Sequence, residues 1–239
     1  MRAYSTMKDR AREMKPELKF PWLAFVTAVF VTCLIVANII AVKLVNIFGF
    51  IVPAAVIIFP ISYIFGDVLT EVYGYKQARR VIWIGFFCNL LAVVAIWIAQ
   101  VLPGASFWDA QSAYERILGF TPRLLIASFI AYLIGEFANS FVLAKLKIAT
   151  SGRWLWLRTI SSTLIGEGLD SAVFITIAFA GTIPPDVLVS TIITQWLFKS
   201  GYEILATPLT YIVVNFLKKQ EGLDVYDHNT NFNPLTLAD

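Results

Sequence analysis

Long apolar stretches alternate with short polar ones along the whole chain. A helix needs about 20 consecutive apolar residues to cross the hydrocarbon core of a bilayer. Stretches of this length recur regularly, which predicts one helical bundle rather than one or two soluble domains. The pattern therefore predicts an all-α membrane protein with six transmembrane helices. The spans are predicted near residues 21–46, 51–73, 80–102, 122–144, 160–182 and 188–216.

The segments outside these spans are short and polar. We divide the chain into a basic N-terminal segment (1–20), a six-helix transmembrane domain (21–217) and a polar C-terminal tail (218–239). The longest loop, at 103–121, contains Phe107, Trp108 and Tyr114. Aromatic residues favour the lipid headgroup region, so this loop is predicted to form an interfacial helix or a lid over an external opening.

Composition agrees with a membrane protein. Hydrophobic residues make up 58% of the 239 residues and charged residues 15%, against about 25% charged in a soluble domain. His228 is the single histidine, and it lies in the tail, which excludes a histidine-rich metal site. The cysteines, Cys33 and Cys88, lie within predicted spans and are interpreted as apolar fillers rather than a disulfide. No metal, cofactor or catalytic residue is predicted.

The positions of the basic residues predict the orientation of the bundle. Lys and Arg are retained on the cytoplasmic side of short loops. Fifteen of the 19 Lys and Arg residues lie before the first predicted span or after the second, fourth and sixth. Both termini are therefore predicted to be cytoplasmic. The net charge of +3 reflects this topology and contact with lipid headgroups rather than binding of nucleic acid.

Three predicted spans repeat one eight-residue pattern, in which a glycine precedes an acid and a hydrogen-bonding residue follows. The copies begin at Ile64 (IFGDVLTE), Leu133 (LIGEFANS) and Leu164 (LIGEGLDS). Small residues allow membrane helices to approach closely. Acids inside a span must face protein or a watery cavity, and they usually mark a pathway or a binding site.

Helical spacing gathers the polar residues of each span onto one face. Residues three or four positions apart lie on the same side of a helix. At 1.5 Å per residue, the acids of antiparallel spans also fall at similar depths, between the bilayer centre and its cytoplasmic third. This agreement predicts one central substrate-binding site, formed by Asp67, Glu136, Asn139, Glu167, Asp170, Gln195, Lys199, Glu203 and Asn38.

Several of these residues also have a purely structural interpretation. Lys199 and Glu203 are four residues apart and could form an ion pair that only stabilises the last helix. Asn38 and Gln195 could simply bond neighbouring helices. Glu71 lies closer to the cytoplasmic surface, where it could be a gate or coupling residue together with Arg79, a partner of Arg79 or Arg80, or a solvated acid.

Three prolines within the predicted spans are candidate hinge points. Pro53 and Pro60 fall in the second predicted span and Pro208 in the last. A proline inside a helix removes a hydrogen bond and kinks the helix. All three are therefore predicted to kink or break a membrane helix.

The chain resembles the queuosine precursor transporter family, also called the vitamin uptake transporter family. The resemblance rests on FPISYIFGDVLTEVYGYKQARRVIWIGF from Phe59, GEFANSF from Gly135, GEGLDS from Gly166 and VYDHNTNFNP ending at Pro234. Leu235 stands where an aromatic residue is expected after the proline. The resemblance implies a carrier of the bacterial inner membrane that takes up 7-deazaguanine bases, the nitrile and aminomethyl precursors of queuosine.

A carboxylate can accept two parallel N–H bonds from the edge of such a base. We therefore expect the predicted acids to bind the donor edge and Asn139, Gln195 and Lys199 to bind its acceptors. Transport is expected to proceed by alternating access, with either proton coupling or facilitated entry. The preferred precursor and the oligomeric state, which includes a homo-oligomer, stay open at this stage.

Two other functional classes of protein are alternatives to a carrier. An intramembrane aspartyl protease would use Asp67 and Asp170 as a dyad, but the second aspartate lacks the expected glycine context. Alternatively, the chain is the substrate-capturing subunit of a multi-component vitamin transporter, since it contains no nucleotide-binding loop.

Overall fold

The computed structural model describes residues 20–47, 50–119 and 122–236. The predicted basic segment at 1–20 lies almost wholly outside these residues. The elements are α1 (Leu23–Ile40), β1 (Leu44–Ile47), β2 (Phe50–Pro53), a 3-10 helix (Ala54–Ile57), α2 (Phe59–Tyr73), α3 (Tyr75–Val101), α4 (Gln111–Leu118), α5 (Pro122–Ala149), α6 (Leu155–Phe179) and α7 (Pro185–Glu221).

The described residues are mainly helical, and four candidate spans among them are long and apolar enough to cross a membrane. These are α1, α3, α6 and the stretch Gln111–Ala149 that contains α5. Helix α2 has 15 residues and α7 has 37. At 1.5 Å per residue α2 is about 22 Å long, shorter than the roughly 30 Å hydrocarbon core. Among the described elements, α2 is central and contacts α1, α3, α5 and α7.

The first two predicted spans differ from the structure. Helix α1 ends at Ile40, and β1 and β2 form an antiparallel hairpin in which Val45 pairs with Val52. Alternating β-branched residues favour strands, and Pro53 disfavours helix. The prediction that Pro53 and Pro60 kink a helix is therefore wrong, because Pro53 ends β2 and Pro60 lies in the first turn of α2. Pro208 does lie inside α7.

Helices α5 and α6 approach each other at two of the glycines in the repeated pattern. A Cβ atom on Gly135 would lie 3.1 Å from the carbonyl oxygen of Gly166, and one on Gly166 would lie 2.9 Å from that of Gly135. The predicted close approach is present here. Gly66 differs, because a Cβ atom there would first meet Glu136 Oε2, at 3.4 Å.

The segment after α7 packs against the bundle. The Tyr75 backbone N–H donates to Asp227 Oδ2 at 3.0 Å, and the Trp83 indole N–H donates to the Pro234 carbonyl at 2.8 Å. Asp227 is buried. Helix α7 continues to Glu221, so the predicted boundary at 217 falls inside a helix. Residues 223–236 therefore join the start of α3 to the end of α7.

Candidate functional site

A cavity of about 290 Å³ lies among six helices. Each helix contributes residues from the part that is distant from the α2–α3 junction. The wall of the cavity consists of aromatic rings, acids and amides. The lining residues are Leu34, Asn38, Ala41, Ser62, Tyr63, Asn89, Ser128, Tyr132, Gly135, Glu136, Asn139, Thr163, Glu167, Asp170, Phe174, Gln195 and Lys199. Ligand pockets typically measure about 300–1,000 Å³, so this cavity suits a small molecule.

Lys199 is the cation of the cavity. Its Nζ lies 2.9 Å from Glu167 Oε2 and also forms an ion pair with Asp170. Both acids come from α6, whereas the sequence placed Glu203 within reach on α7. The prediction of a Lys199–Glu203 pair is wrong for this conformation, because two carboxylates of the neighbouring helix hold the ammonium instead.

Helix α5 contributes to the cavity an acid that forms no ion pair with another described residue. Glu136 lines the cavity and forms no ion pair with any described residue. Gly66 contributes no side chain beside it, which leaves room for the carboxylate. Gln195 Oε1 is buried and accepts no hydrogen bond within the described ranges. With respect to the described part of the chain, the Glu136 carboxylate and the Gln195 amide oxygen are therefore available to a ligand in the cavity.

Two asparagine side chains in the cavity wall form hydrogen bonds to neighbouring helices. The Asn38 side-chain N–H donates to Asn89 Oδ1 at 3.0 Å, which joins α1 to α3. The Asn139 side-chain N–H donates to Asp67 Oδ1 at 2.9 Å, which joins α5 to α2. Both of these predicted site residues line the cavity, and each also bonds a neighbouring helix.

Asp67 and Glu203 do not line the cavity, although both were predicted to bind substrate. Each is 1% exposed. Neither carboxylate oxygen of Glu203 has a hydrogen-bond partner within the described part of the chain, and Asp67 Oδ2 has none either. These two acids therefore lie behind the wall, with Asn139 between Asp67 and the cavity.

Glu71 is the centre of an ion-pair cluster at the end of the bundle where α2 meets α3. We call this the basic end and define it by Glu71, Lys147, Arg158, Lys218 and Asp224. Arg158 forms two hydrogen bonds to the Glu71 carboxylate, both 2.8 Å, and Lys218 Nζ lies 2.6 Å from Oε1. Lys147 Nζ lies 3.6 Å from the same oxygen. Glu71 and Arg158 are both buried.

Asp224 connects this cluster to the segment after α7. It accepts from Lys147 at 2.6 Å and lies 2.8 Å from Lys218 Nζ. Burial acts to raise the pKa of Asp224, but the hydrogen bonds from Lys147 and Lys218 outweigh it and hold the pKa below its usual value. The carboxylate is therefore ionised at neutral pH, and it balances part of the positive charge at the basic end.

Two interpretations of Glu71 are wrong. It is not solvated, and its guanidinium partner is Arg158, 87 residues away, rather than Arg79 or Arg80. Arg79 is buried too, but it donates to the carbonyl oxygens of Asn231 and Asn233 at 2.8 and 2.9 Å. Arg79 therefore holds the C-terminal segment, and its predicted role in gating or coupling stays a prediction.

Part of the cavity wall consists of residues that were not predicted from the sequence. Ser128 and Tyr132 precede Glu136 by eight and four residues, Thr163 precedes Glu167 by four, and Phe174 follows Asp170 by four. The polar faces identified from the sequence simply continue in both directions. Extending each face by one or two turns would have found these residues.

A metal is not indicated by the side chains. Among residues 20–47, 50–119 and 122–236, no group of three or more His, Cys, Asp or Glu side chains could hold a metal ion. The cavity contacts expected of a ligand are thus hydrogen bonds, ion pairs and ring stacking.

Comparison with known proteins places these features in a family. A family described as "putative vitamin uptake transporter" matches residues 53–213. The chain is 29% identical over 203 residues to the probable queuosine precursor transporter of Bacillus subtilis (strain 168), covering 84% of this chain and 86% of that protein. It is 30% identical over 135 residues to the queuosine precursor transporter of Escherichia coli (strain K12), covering 56% and 58%. No solved structure matches.

Proposed function

We propose that this chain, which belongs to the putative vitamin uptake transporter family, carries 7-deazaguanine precursors of queuosine across the bacterial inner membrane. Membership of this family makes it a multi-pass membrane transporter and not an enzyme, so the intramembrane protease is not favoured. The observation that carries the proposal is the cavity. It holds one ammonium, three carboxylates, amides and aromatic rings, in a chain similar to proteins named queuosine precursor transporters.

Glu136 is assigned to the donor edge of the base. A 7-deazaguanine presents its ring N1–H and its exocyclic amine side by side, and a carboxylate accepts two such parallel bonds. The carboxylates of Glu167 and Asp170 are already engaged by Lys199. Glu136 has no such partner among the described residues, so it is the acid that gains most from a ligand donor.

The remaining polar groups match the rest of the base. Gln195 Oε1 is available to accept the pyrrole N–H. Lys199 donates to the ring carbonyl while it keeps a carboxylate partner, and Asn139 supplies a further amide. Tyr132 and Phe174 line the cavity and offer faces for stacking. The aminomethyl precursor carries an additional ammonium group, which can form an ion pair with the α6 carboxylates of Glu167 and Asp170.

Alternating access is proposed because the two ends of the bundle differ. Between the cavity and the basic end lies a buried layer that contains Val68, Thr70 and Ser140. The hydroxyl of Thr70 donates to Ser140 Oγ at 3.1 Å and joins α2 to α5. The Glu71–Arg158 pair lies beyond this layer. We assign this conformation as closed at the basic end, and opening there requires the pair to separate or to move together.

The proposal predicts that Glu136→Gln abolishes high-affinity binding of the base. The purified wild-type protein should gain thermal stability with 7-cyano- or 7-aminomethyl-7-deazaguanine and not with adenine, because a bound ligand stabilises the folded state. An amide cannot accept two parallel N–H bonds, so Glu136→Gln should lose most of this gain. Glu115→Gln, on the exposed helix α4, is the control and should behave as wild type.

Uptake by the purified chain in liposomes separates a carrier from a capturing subunit. Entry of labelled base without any added protein supports a complete carrier. Binding without entry would support the subunit of a multi-component transporter. An equal thermal shift for wild type and Glu136→Gln would contradict the assigned site.

A further inference from the structure

Glu203 is a buried acid without a counterion or a hydrogen-bond donor among the described residues. Its side chain is 1% exposed, and both carboxylate oxygens lack a partner within the described residues. An isolated ionised carboxylate in such surroundings is costly, and the group avoids that cost by binding a proton. A structural acid would be expected to have donors around it, so this arrangement needs another explanation.

The charged groups that act on Glu203 from the neighbouring helices are all acids. They are Asp67 of α2, Glu136 of α5 and Glu167 of α6. On its own helix, Lys199 lies one turn earlier and is held by Glu167 and Asp170. Negative neighbours and the absence of a cation both favour the protonated carboxyl at this position.

Asp67 links this acid to the cavity. Its Oδ1 accepts from Asn139, which lines the cavity, while its Oδ2 is buried and lacks a partner in the described ranges. A ligand that recruits Asn139 would remove the hydrogen bond from Asn139 that stabilises the Asp67 carboxylate. Occupation of the cavity thus changes the electrostatic surroundings of both buried acids.

We propose that Glu203, with Asp67 beside it, is a proton-binding site outside the substrate cavity and couples uptake of the base to entry of a proton. The inference rests on the proposed function. In each cycle a proton from the outer side forms the O–H bond of the Glu203 carboxyl, and the same proton leaves to the inner side as the carboxylate re-forms.

The ionised state has a counterion available on the same helix. Lys199 and Glu203 are four residues apart, a spacing that brings side chains within ion-pair reach. When Glu203 loses its proton, the ammonium can move from Glu167 and Asp170 to Glu203. Such a move rearranges the cavity wall, so release of the proton and release of the base are coupled through Lys199.

A proton is favoured over a sodium ion. A bound metal cation needs several oxygen ligands, and no group of three or more His, Cys, Asp or Glu side chains that could hold one is present among the described residues. A site for one proton needs no further ligand.

The test uses liposomes containing purified wild-type protein or Glu203→Gln. Wild type should concentrate labelled 7-cyano-7-deazaguanine when the outside is acidic, and a protonophore should abolish this accumulation. Glu203→Gln carries a permanently neutral side chain, so it should still exchange labelled for unlabelled base. Its gradient-driven accumulation should be at least tenfold lower than that of wild type. Glu115→Gln is again the matched control.

Accumulation by Glu203→Gln at the wild-type level would overturn the proposal, as would accumulation driven by a sodium gradient alone. A second readout does not depend on the substrate. The infrared band of a protonated carboxylic acid should be present in wild type at neutral pH and weaker in Glu203→Gln. Equal bands would overturn the proton site. Failure of the proposed function alone would leave this band difference in place but remove the thermal shift with the base.

Discussion

The guanidinium of Arg158 is the bidentate partner of Glu71, the fully buried acid of the basic end. It forms two hydrogen bonds to Glu71, and both side chains are almost completely excluded from solvent. Removing one member of a buried pair leaves the other charge uncompensated, which costs far more than the pair contributes while intact.

Arg158→Ala should therefore destabilise the protein by about 3–5 kcal/mol. Lys218 remains beside Glu71 and moderates the loss, so the lower part of this range is expected. Arg153→Ala is the control because Arg153 is exposed, and it should stay within about 0.5 kcal/mol. Denaturant or thermal unfolding in one detergent measures both. Equal stability of the two variants would contradict the role of the buried pair.

At the residue scale, the polar face of each helix could be predicted from the sequence, but the ion-pair partners on other helices could not. The spacing of Glu136 and Asn139, or of Glu167 and Asp170, placed each pair on one side of its helix, and all four line one cavity. Spacing along α7 also predicted an ion pair between Lys199 and Glu203, because spacing relates only residues of the same helix. Which residue of another helix completes a pair depends on tertiary packing, and a single sequence does not contain that information.

At the scale of elements, the close approach of α5 and α6 depends on two glycines. Each occupies a place where a methyl group would lie about 3 Å from the backbone oxygen of the other helix. Since the cavity residues Asn139 and Asp170 flank this contact, the same approach positions part of the wall.

Gly166→Ala should separate these helices and destabilise the protein by about 1–3 kcal/mol, the usual cost of overpacking. Gly201→Ala is the matched control, because a Cβ atom there meets nothing within 4 Å and alanine favours helix. The control should be neutral or slightly stabilising. Thermal unfolding and ligand-induced stabilisation should both fall for Gly166→Ala. Unchanged values would contradict the account of the interface.

Elements were predicted well where a helix is long and apolar and poorly where the chain turns back inside an apolar stretch. Helices α3 and α6 agree with predicted spans to within several residues. The hairpin Leu44–Pro53 was missed because hydropathy is equally high in a buried strand and a membrane helix. Pro53 and the nearby β-branched residues were the available signal, and the proline was interpreted as a kink instead.

At the scale of the whole molecule, ion pairs join the helices at the basic end of the bundle, and the cavity lies in the other part. Residues 223–236 bind the basic end through hydrogen bonds from Arg79, Tyr75 and Lys147. Opening that end must rearrange this segment as well as the Glu71 cluster. The cytoplasmic position of this end remains a prediction from the distribution of Lys and Arg.

The central claim is that the base binds in the cavity, between Glu136 and the Lys199 cluster. The most direct measurement is an experimental structure of the protein with 7-cyano-7-deazaguanine bound. The account predicts density for a flat molecule in this cavity, with its donor edge within hydrogen-bond distance of Glu136 and its carbonyl facing Lys199. Density at another site, with this cavity empty, would contradict it.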